Sequence, residues 1–203
     1  MPEVIYSGKP FDEATKVAIM IHGRGASAES ILGLKQYLNL DEFVLLAPQA
    51  KGGSWYPHSF MAPDVNNEPA FSNSIQVIDD IVKKVFEKGF TSSQIYFLGF
   101  SQGACLSLEY ASQNAEKYGG VIAFTGGLIG GNLNPAKYKG DFLGTPVFIG
   151  SGHKDAHVPL ARIEASAELM KSLGANVKTL IFPDTQHTIR QEEMEWVNEH
   201  ILK

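Results

Sequence analysis

The sequence predicts an α/β fold, a mostly parallel central sheet flanked by helices on both faces. Two patterns carry that prediction. Short apolar runs alternate along the chain with amphipathic helical stretches, and most of the runs are continuously apolar rather than alternating. Repeated strand-then-helix order calls for a parallel sheet, and continuously apolar strands call for cover on both faces. With 203 residues, 44% of them hydrophobic, the chain can bury one substantial core and reads as a single domain over 1–203.

Taken in order, the strand-like runs are Val17–Ile21, Phe43–Ala47, Ile95–Gly99, Val121–Phe124, Val147–Ile149 and Val177–Phe182. Between them, Ile75, Ile78, Ile81, Val82 and Val85 form one helix stripe, closed by Gly89 at the position after the C-cap. Leu160, Ile163, Ala167, Met170 and Leu173 form another, with Pro159 near its first turn and Gly174 just past its end. A last helix places Ile189, Trp196, Val197, His200 and Ile201 on one side, with Glu192 and Glu193 in its first turn. Two stretches break the rhythm: Gln49–Ala70, rich in aromatics, and the glycine-rich Gly126–Gly144. Irregular loops of that length in a compact domain tend to be functional.

Charge narrows the function. A formal net charge of -5 with no basic stripe argues against nucleic-acid binding. The longest apolar runs are too short to cross a bilayer, so stable membrane insertion is not expected. The opening Met-Pro-Glu-Val does not read as a signal peptide. A lone cysteine, Cys105, leaves no internal disulfide and fits a reducing, cytoplasmic setting.

The pentapeptide Gly99-Phe100-Ser101-Gln102-Gly103 lies between the run Ile95–Gly99 and a helical segment, Gln102–Gln113. A sharp strand-to-helix turn crowds the backbone, and glycines two residues to either side of the serine relieve that crowding. This is the G-x-S-x-G pattern of a nucleophile elbow. A serine hydroxyl needs a base to take its proton and a third group to orient the base. In this arrangement the acid precedes the histidine in the chain. Asp155 follows one strand-like run and His187 the next, both at the carboxyl edge where open α/β sheets bind ligands.

Other residues compete for these roles. Asp184, three residues from His187, reads better as a tie within its own loop. His22, His58, His153 and His157 are other imidazoles, of which His22 reads as a brace for the loop after the first long strand. His153, Asp155 and His157 lack recognised zinc-ligand spacing, so no metal is assigned. Cys105 lies inside the helix and reads as packing. Two backbone amides, of Arg24 in His22-Gly23-Arg24-Gly25 and of Gln102, would hold a developing oxyanion; the loss of one such donor costs about 10²–10³ in rate. A plain glycine turn remains the alternative for the Arg24 loop.

HGRG, GGSWYPHSF, GFSQGACLSLEYA, TGGLIG, GHKDAHVP and HTI, in that order, resemble the phospholipase/carboxylesterase family of small α/β-hydrolases, relatives of acyl-protein thioesterases. The resemblance spans nearly the whole chain. It implies Ser101 as nucleophile, Asp155 and His187 as its partners, the amides of Arg24 and Gln102 as oxyanion donors, and no cofactor. The chain departs from many members at Arg24, Ala26 and Ser27, and from eukaryotic thioesterases at Trp55-Tyr56-Pro57, so it resembles a bacterial esterase branch.

Gly126–Gly144 is too short to hold a helical cap domain. An open pocket is therefore expected, walled by Trp55, Tyr56, Phe60, Leu128 and Val158, with the Arg24 side chain at its mouth favouring acyl groups with a polar or anionic end. The expected activity is hydrolysis of a small-molecule carboxylic ester of short to medium chain length. A thioesterase or lysophospholipase acting on longer chains is the alternative. A binding protein that keeps the fold without turnover is the remote one. A homodimer is compatible with the sequence, which locates no interface.

Overall fold

In the computed structural model, which describes residues 3–203, seven strands form one sheet: β1 (Val4–Gly8), β2 (Lys16–Ile21), β3 (Phe43–Pro48), β4 (Ile95–Phe100), β5 (Gly120–Phe124), β6 (Pro146–Gly152) and β7 (Asn176–Phe182). Their spatial order is β1-β3-β2-β4-β5-β6-β7. All neighbours pair in parallel except β1, which lies antiparallel on β3 with Val4 opposite Pro48. The six expected strands are present. Strand β1 is an addition that the apolar runs do not reveal, because it is short and only half-buried.

Helices α1 (Ala28–Leu32), α2 (Asp64–Asn67), α3 (Ala70–Glu87), α4 (Gln102–Gln113), α5 (Leu160–Ser172) and α6 (Gln191–His200) complete the fold. The stripe Ile78, Ile81, Val82 and Val85 of α3 is buried, and Gly89 adopts the left-handed φ of 90° that ends the helix. Pro159 caps α5 and Gly174 turns out of it at φ 82°. In α6, Val197 is buried, but His200 is exposed and stacks on Trp196 at 4.3 Å, off the core.

The sheet has one apolar cluster on each face. One packs Val17, Ile19, Ile21, Phe97 and Val121 against α3, α4 and α5. The other packs Ala18, Met20, Leu45, Leu98, Phe124 and Phe148 against α1 and α6. Strands β2 to β6 are buried along almost their whole length, as continuous apolar runs require. Between β5 and β6 the chain holds only one 3-10 turn, Pro135–Lys137, and no helical cap.

Candidate active site

Ser101 sits between β4 and α4 with φ 54° and ψ -117°, a left-handed conformation uncommon for a residue with a side chain. Such geometry costs of order 1–3 kcal/mol and persists because the surroundings enforce it. Its two flanking glycines show how. A Cβ on Gly103 would stand 1.9 Å from the Ile21 carbonyl oxygen, and one on Gly99 would stand 2.3 Å from the Gly103 backbone. Strand β2, strand β4 and the first turn of α4 therefore meet at a spacing that admits only hydrogen at both positions.

His187 lies in the loop after β7. Its Nε2 is 2.8 Å from Ser101 Oγ and its Nδ1 is 2.7 Å from Asp155 Oδ2. A carboxylate facing Nδ1 keeps the proton there, so Nε2 is left to accept from the serine hydroxyl. The Asp155 side chain is fully buried, and its other oxygen accepts from the amides of His157 at 2.7 Å and Val158 at 3.0 Å. The His-Lys-Asp-Ala-His stretch is thus a turn wrapped around the carboxylate, with backbone amides rather than imidazoles facing it. The His187 ring is edged by His157 at 4.8 Å and by Phe100 at 5.2 Å.

His22 is buried beneath the Arg24 loop. Its Nδ1 donates to the Gly23 carbonyl and its Nε2 accepts from the Ala50 amide. Burial holds its pKa below the usual imidazole value, so it braces the loop as a neutral ring. Among the described residues, neither the Arg24 nor the Gln102 backbone amide donates within the chain, which leaves both free for a ligand.

The Gln102 side chain organises the aromatic loop. Its Oε1 accepts from the Trp55 amide at 2.9 Å and its Nε2 donates to the Tyr56 carbonyl at 2.9 Å. The Arg24 guanidinium donates to the carbonyls of Pro57 and His58, at 2.8 and 2.7 Å. A cavity of about 520 Å³ opens between these parts. Ser101, Gln102 and His187 line it, with Tyr56, Phe60, Cys105 and Val158 as buried walls. Arg24, His58 and His157 stand at its exposed mouth.

Of the five expected wall residues, Tyr56, Phe60 and Val158 line this cavity and two do not. Trp55 donates its indole N–H to the His22 carbonyl, packs on the His22 ring at 5.1 Å, and borders a separate cavity with Ala50 and Val77. Leu128 is fully buried, its amide held by Ser166 and its carbonyl by Arg162. The sequence does not mark Cys105 as a wall of the cavity, or His58 and His157 as its mouth. Helical spacing was the available signal for Cys105, since position i+4 from Ser101 shares its face of α4. Burial pushes the Cys105 thiol up to about 12, so it stays a protonated thiol.

The chain matches the phospholipase/carboxylesterase family over residues 3–203. The crystal structure of a phospholipase/carboxylesterase from Dyadobacter fermentans DSM 18053 aligns with a TM-score of 0.99 at 47% identity, covering 100% of this chain and 97% of that one. Acyl-protein thioesterase 1 of Saccharomyces cerevisiae is 34% identical over 174 residues, 72% of this chain and 73% of that protein. The carboxylesterase of Bacillus cereus, at 18% identity and a TM-score of 0.79 over 98% of this chain and 92% of that one, shares the fold. That fold is the α/β-hydrolase fold.

Proposed function

Because the chain belongs to the phospholipase/carboxylesterase family, whose members hydrolyse ester bonds, we propose that it is a serine carboxylesterase acting on short- to medium-chain esters through an acyl-enzyme. One observation carries this reading: the continuous relay from Ser101 Oγ through the His187 ring to Asp155, at a strained elbow that opens on a cavity. Ser101 Oγ attacks the ester carbonyl while His187 Nε2 takes its proton, and Asp155 holds the ring and stabilises the imidazolium. The amides of Arg24 and Gln102 receive the oxyanion, the latter at the N-terminus of α4. His187 returns its proton to the leaving alcohol, then activates a water that releases the acid and regenerates the serine.

Tyr56, Phe60, Cys105 and Val158 give the acyl group a buried, largely apolar wall beside Ser101. The second reading is thioester hydrolysis on longer chains, favoured by the likeness to the yeast acyl-protein thioesterase. A panel of p-nitrophenyl esters from acetyl to palmitoyl, run beside matched thioesters, separates the two. A maximum between acetyl and hexanoyl supports the first; a maximum at dodecanoyl or beyond, or a thioester preference, gives the chain to the second. A serine-directed phosphonate should label Ser101 and leave Ser101→Ala unmodified, with kcat lowered on the order of 10⁵–10⁶-fold in that variant. Full hydrolytic rates in Ser101→Ala would overturn both readings.

A further inference from the structure

The loop that carries His187 is closed by a single arginine. Arg190 forks onto Asp184, with Nε 3.1 Å from Oδ2 and Nη2 2.5 Å from Oδ1. The same guanidinium donates to the carbonyl of Gln186 at 3.0 Å and, more weakly, to that of Thr188 at 3.4 Å. These carbonyls belong to the residues immediately before and after His187. The guanidinium also lies 4.5 Å from the centre of the Phe182 ring at the end of β7. The Arg190 side chain is itself nearly buried, 9% exposed.

Both ends of this clamp are anchored. Asp184 accepts from the Lys154 amide at 3.0 Å through its carbonyl, and Phe182 accepts from the His153 amide at 2.7 Å. The loop bearing Asp155 is therefore sewn to the loop bearing His187. On the other side, the Arg190 amide donates at 2.6 Å to Glu193 Oε2, a carboxylate with no exposed surface. Glu193 has space there because β6 carries glycine at its nearest point: a Cβ on Gly150 would stand 1.7 Å from Glu193 Oε1.

We propose that Arg190 is a positioning residue for the ester hydrolysis. By fixing the backbone on both sides of His187 and, through Asp184, the spacing to the Asp155 loop, it sets the register in which the imidazole spans Ser101 and Asp155. The proposal rests on His187 being the base. A multidentate planar cation suits this task and an ammonium does not, because a lysine cannot reach a carboxylate fork and two carbonyls at once.

The test compares Arg190→Ala, Arg190→Lys and Asp184→Asn with wild type on p-nitrophenyl butyrate. No clamp residue lines the cavity, so KM should stay within about twofold while kcat falls roughly 10- to 100-fold in Arg190→Ala, the effect of displacing a reacting group by about 1 Å. Millimolar guanidinium chloride should restore part of that kcat in Arg190→Ala and none in His187→Ala. Arg190→Lys should remain impaired despite keeping the charge. The downfield proton resonance of the His187–Asp155 hydrogen bond should weaken in Arg190→Ala and return with guanidinium. Should Arg190→Ala not fold, the kcat and the resonance of the milder Asp184→Asn decide, with a loss in both expected. Wild-type kcat in whichever of these two variants is folded, or a loss without recovery by guanidinium in a folded Arg190→Ala, overturns the clamp and leaves the esterase reading standing. Wild-type activity in His187→Ala would instead remove the reading on which the clamp depends.

Discussion

Arg24 faces two ways. Two of its guanidinium N–H groups hold the carbonyls of Pro57 and His58, so the side chain staples one side of the aromatic loop to the turn after β2. Its remaining donors stand at the mouth of the cavity, and among the described residues no carboxylate lies within ion-pairing distance of it. An uncompensated cation at that position should favour an ester whose acyl group ends in a carboxylate. In Arg24→Leu, the ratio of kcat/KM for a carboxylate-bearing ester over its neutral analogue should fall roughly tenfold, the equivalent of about 1.4 kcal/mol from one charge-assisted contact. KM should rise for both substrates as the staple is lost. An unchanged ratio would reduce Arg24 to a loop fastener. The sequence places the arginine at the mouth but says nothing of the staple, whose acceptors are main-chain oxygens more than thirty positions away.

The junction of β4 and α4 is the element on which the site depends, and it is the part the sequence describes best. Helix α4 begins at Gln102 and ends at Gln113, the bounds its pattern predicts, because the G-x-S-x-G spacing marks the turn and an apolar helix face follows directly. The glycines there are required by contact with backbone, which cannot swing aside. Gly103→Ala should destabilise the protein by about 3 kcal/mol or more, since its methyl would press on the Ile21 carbonyl and α4 cannot retreat without moving Ser101. Gly33→Ala is the control, as Gly33 has ordinary right-handed angles and open space around it; it should be neutral or stabilising by up to about 1 kcal/mol. Urea midpoints of the two variants test the contrast, and equal effects would refute it. Elements at the margin are less legible. Strand β1 has one face only half-covered, and α1 is five residues long. Neither repeats its period long enough to stand out. The direction of each aromatic in the Gln49–Ala70 loop is equally hidden, because the Gln102 side chain holds Trp55 and Tyr56 by their backbones and sends one ring under His22 and the other into the cavity wall.

At the scale of the whole molecule, the order serine, acid, histidine after β4, β6 and β7 is readable because the fold brings those strand ends to one edge. The clamp behind His187 is not, since Arg190 reaches back six residues to an aspartate through a loop without periodicity. The same region makes stability depend on pH. Burial pushes the Glu193 carboxyl up to about 7 from its usual 4.5, with Glu192 and Asp184 adding to the rise and Arg190 opposing it. Between those two values the folded chain keeps a proton that the unfolded chain has released. Stability from this group therefore falls as pH rises from about 4.5 through 7 and levels off above. Near pH 8 the buried charge costs on the order of 3 kcal/mol, at about 1.4 kcal/mol for each tenfold gain in proton affinity on folding. His22 works the other way: its pKa is lowered by burial, so its contribution is lost as pH falls below its usual 6.5. Subtracting wild type from a Glu193 variant cancels the His22 part. Glu193→Gln keeps an acceptor for the Arg190 amide and removes the charge. In urea denaturation it should gain on wild type steadily from about pH 5 to about pH 8, by up to about 3 kcal/mol. A difference that is the same at every pH would mean that Glu193 is ionised in the folded chain throughout, held so by Arg190 more strongly than burial opposes it.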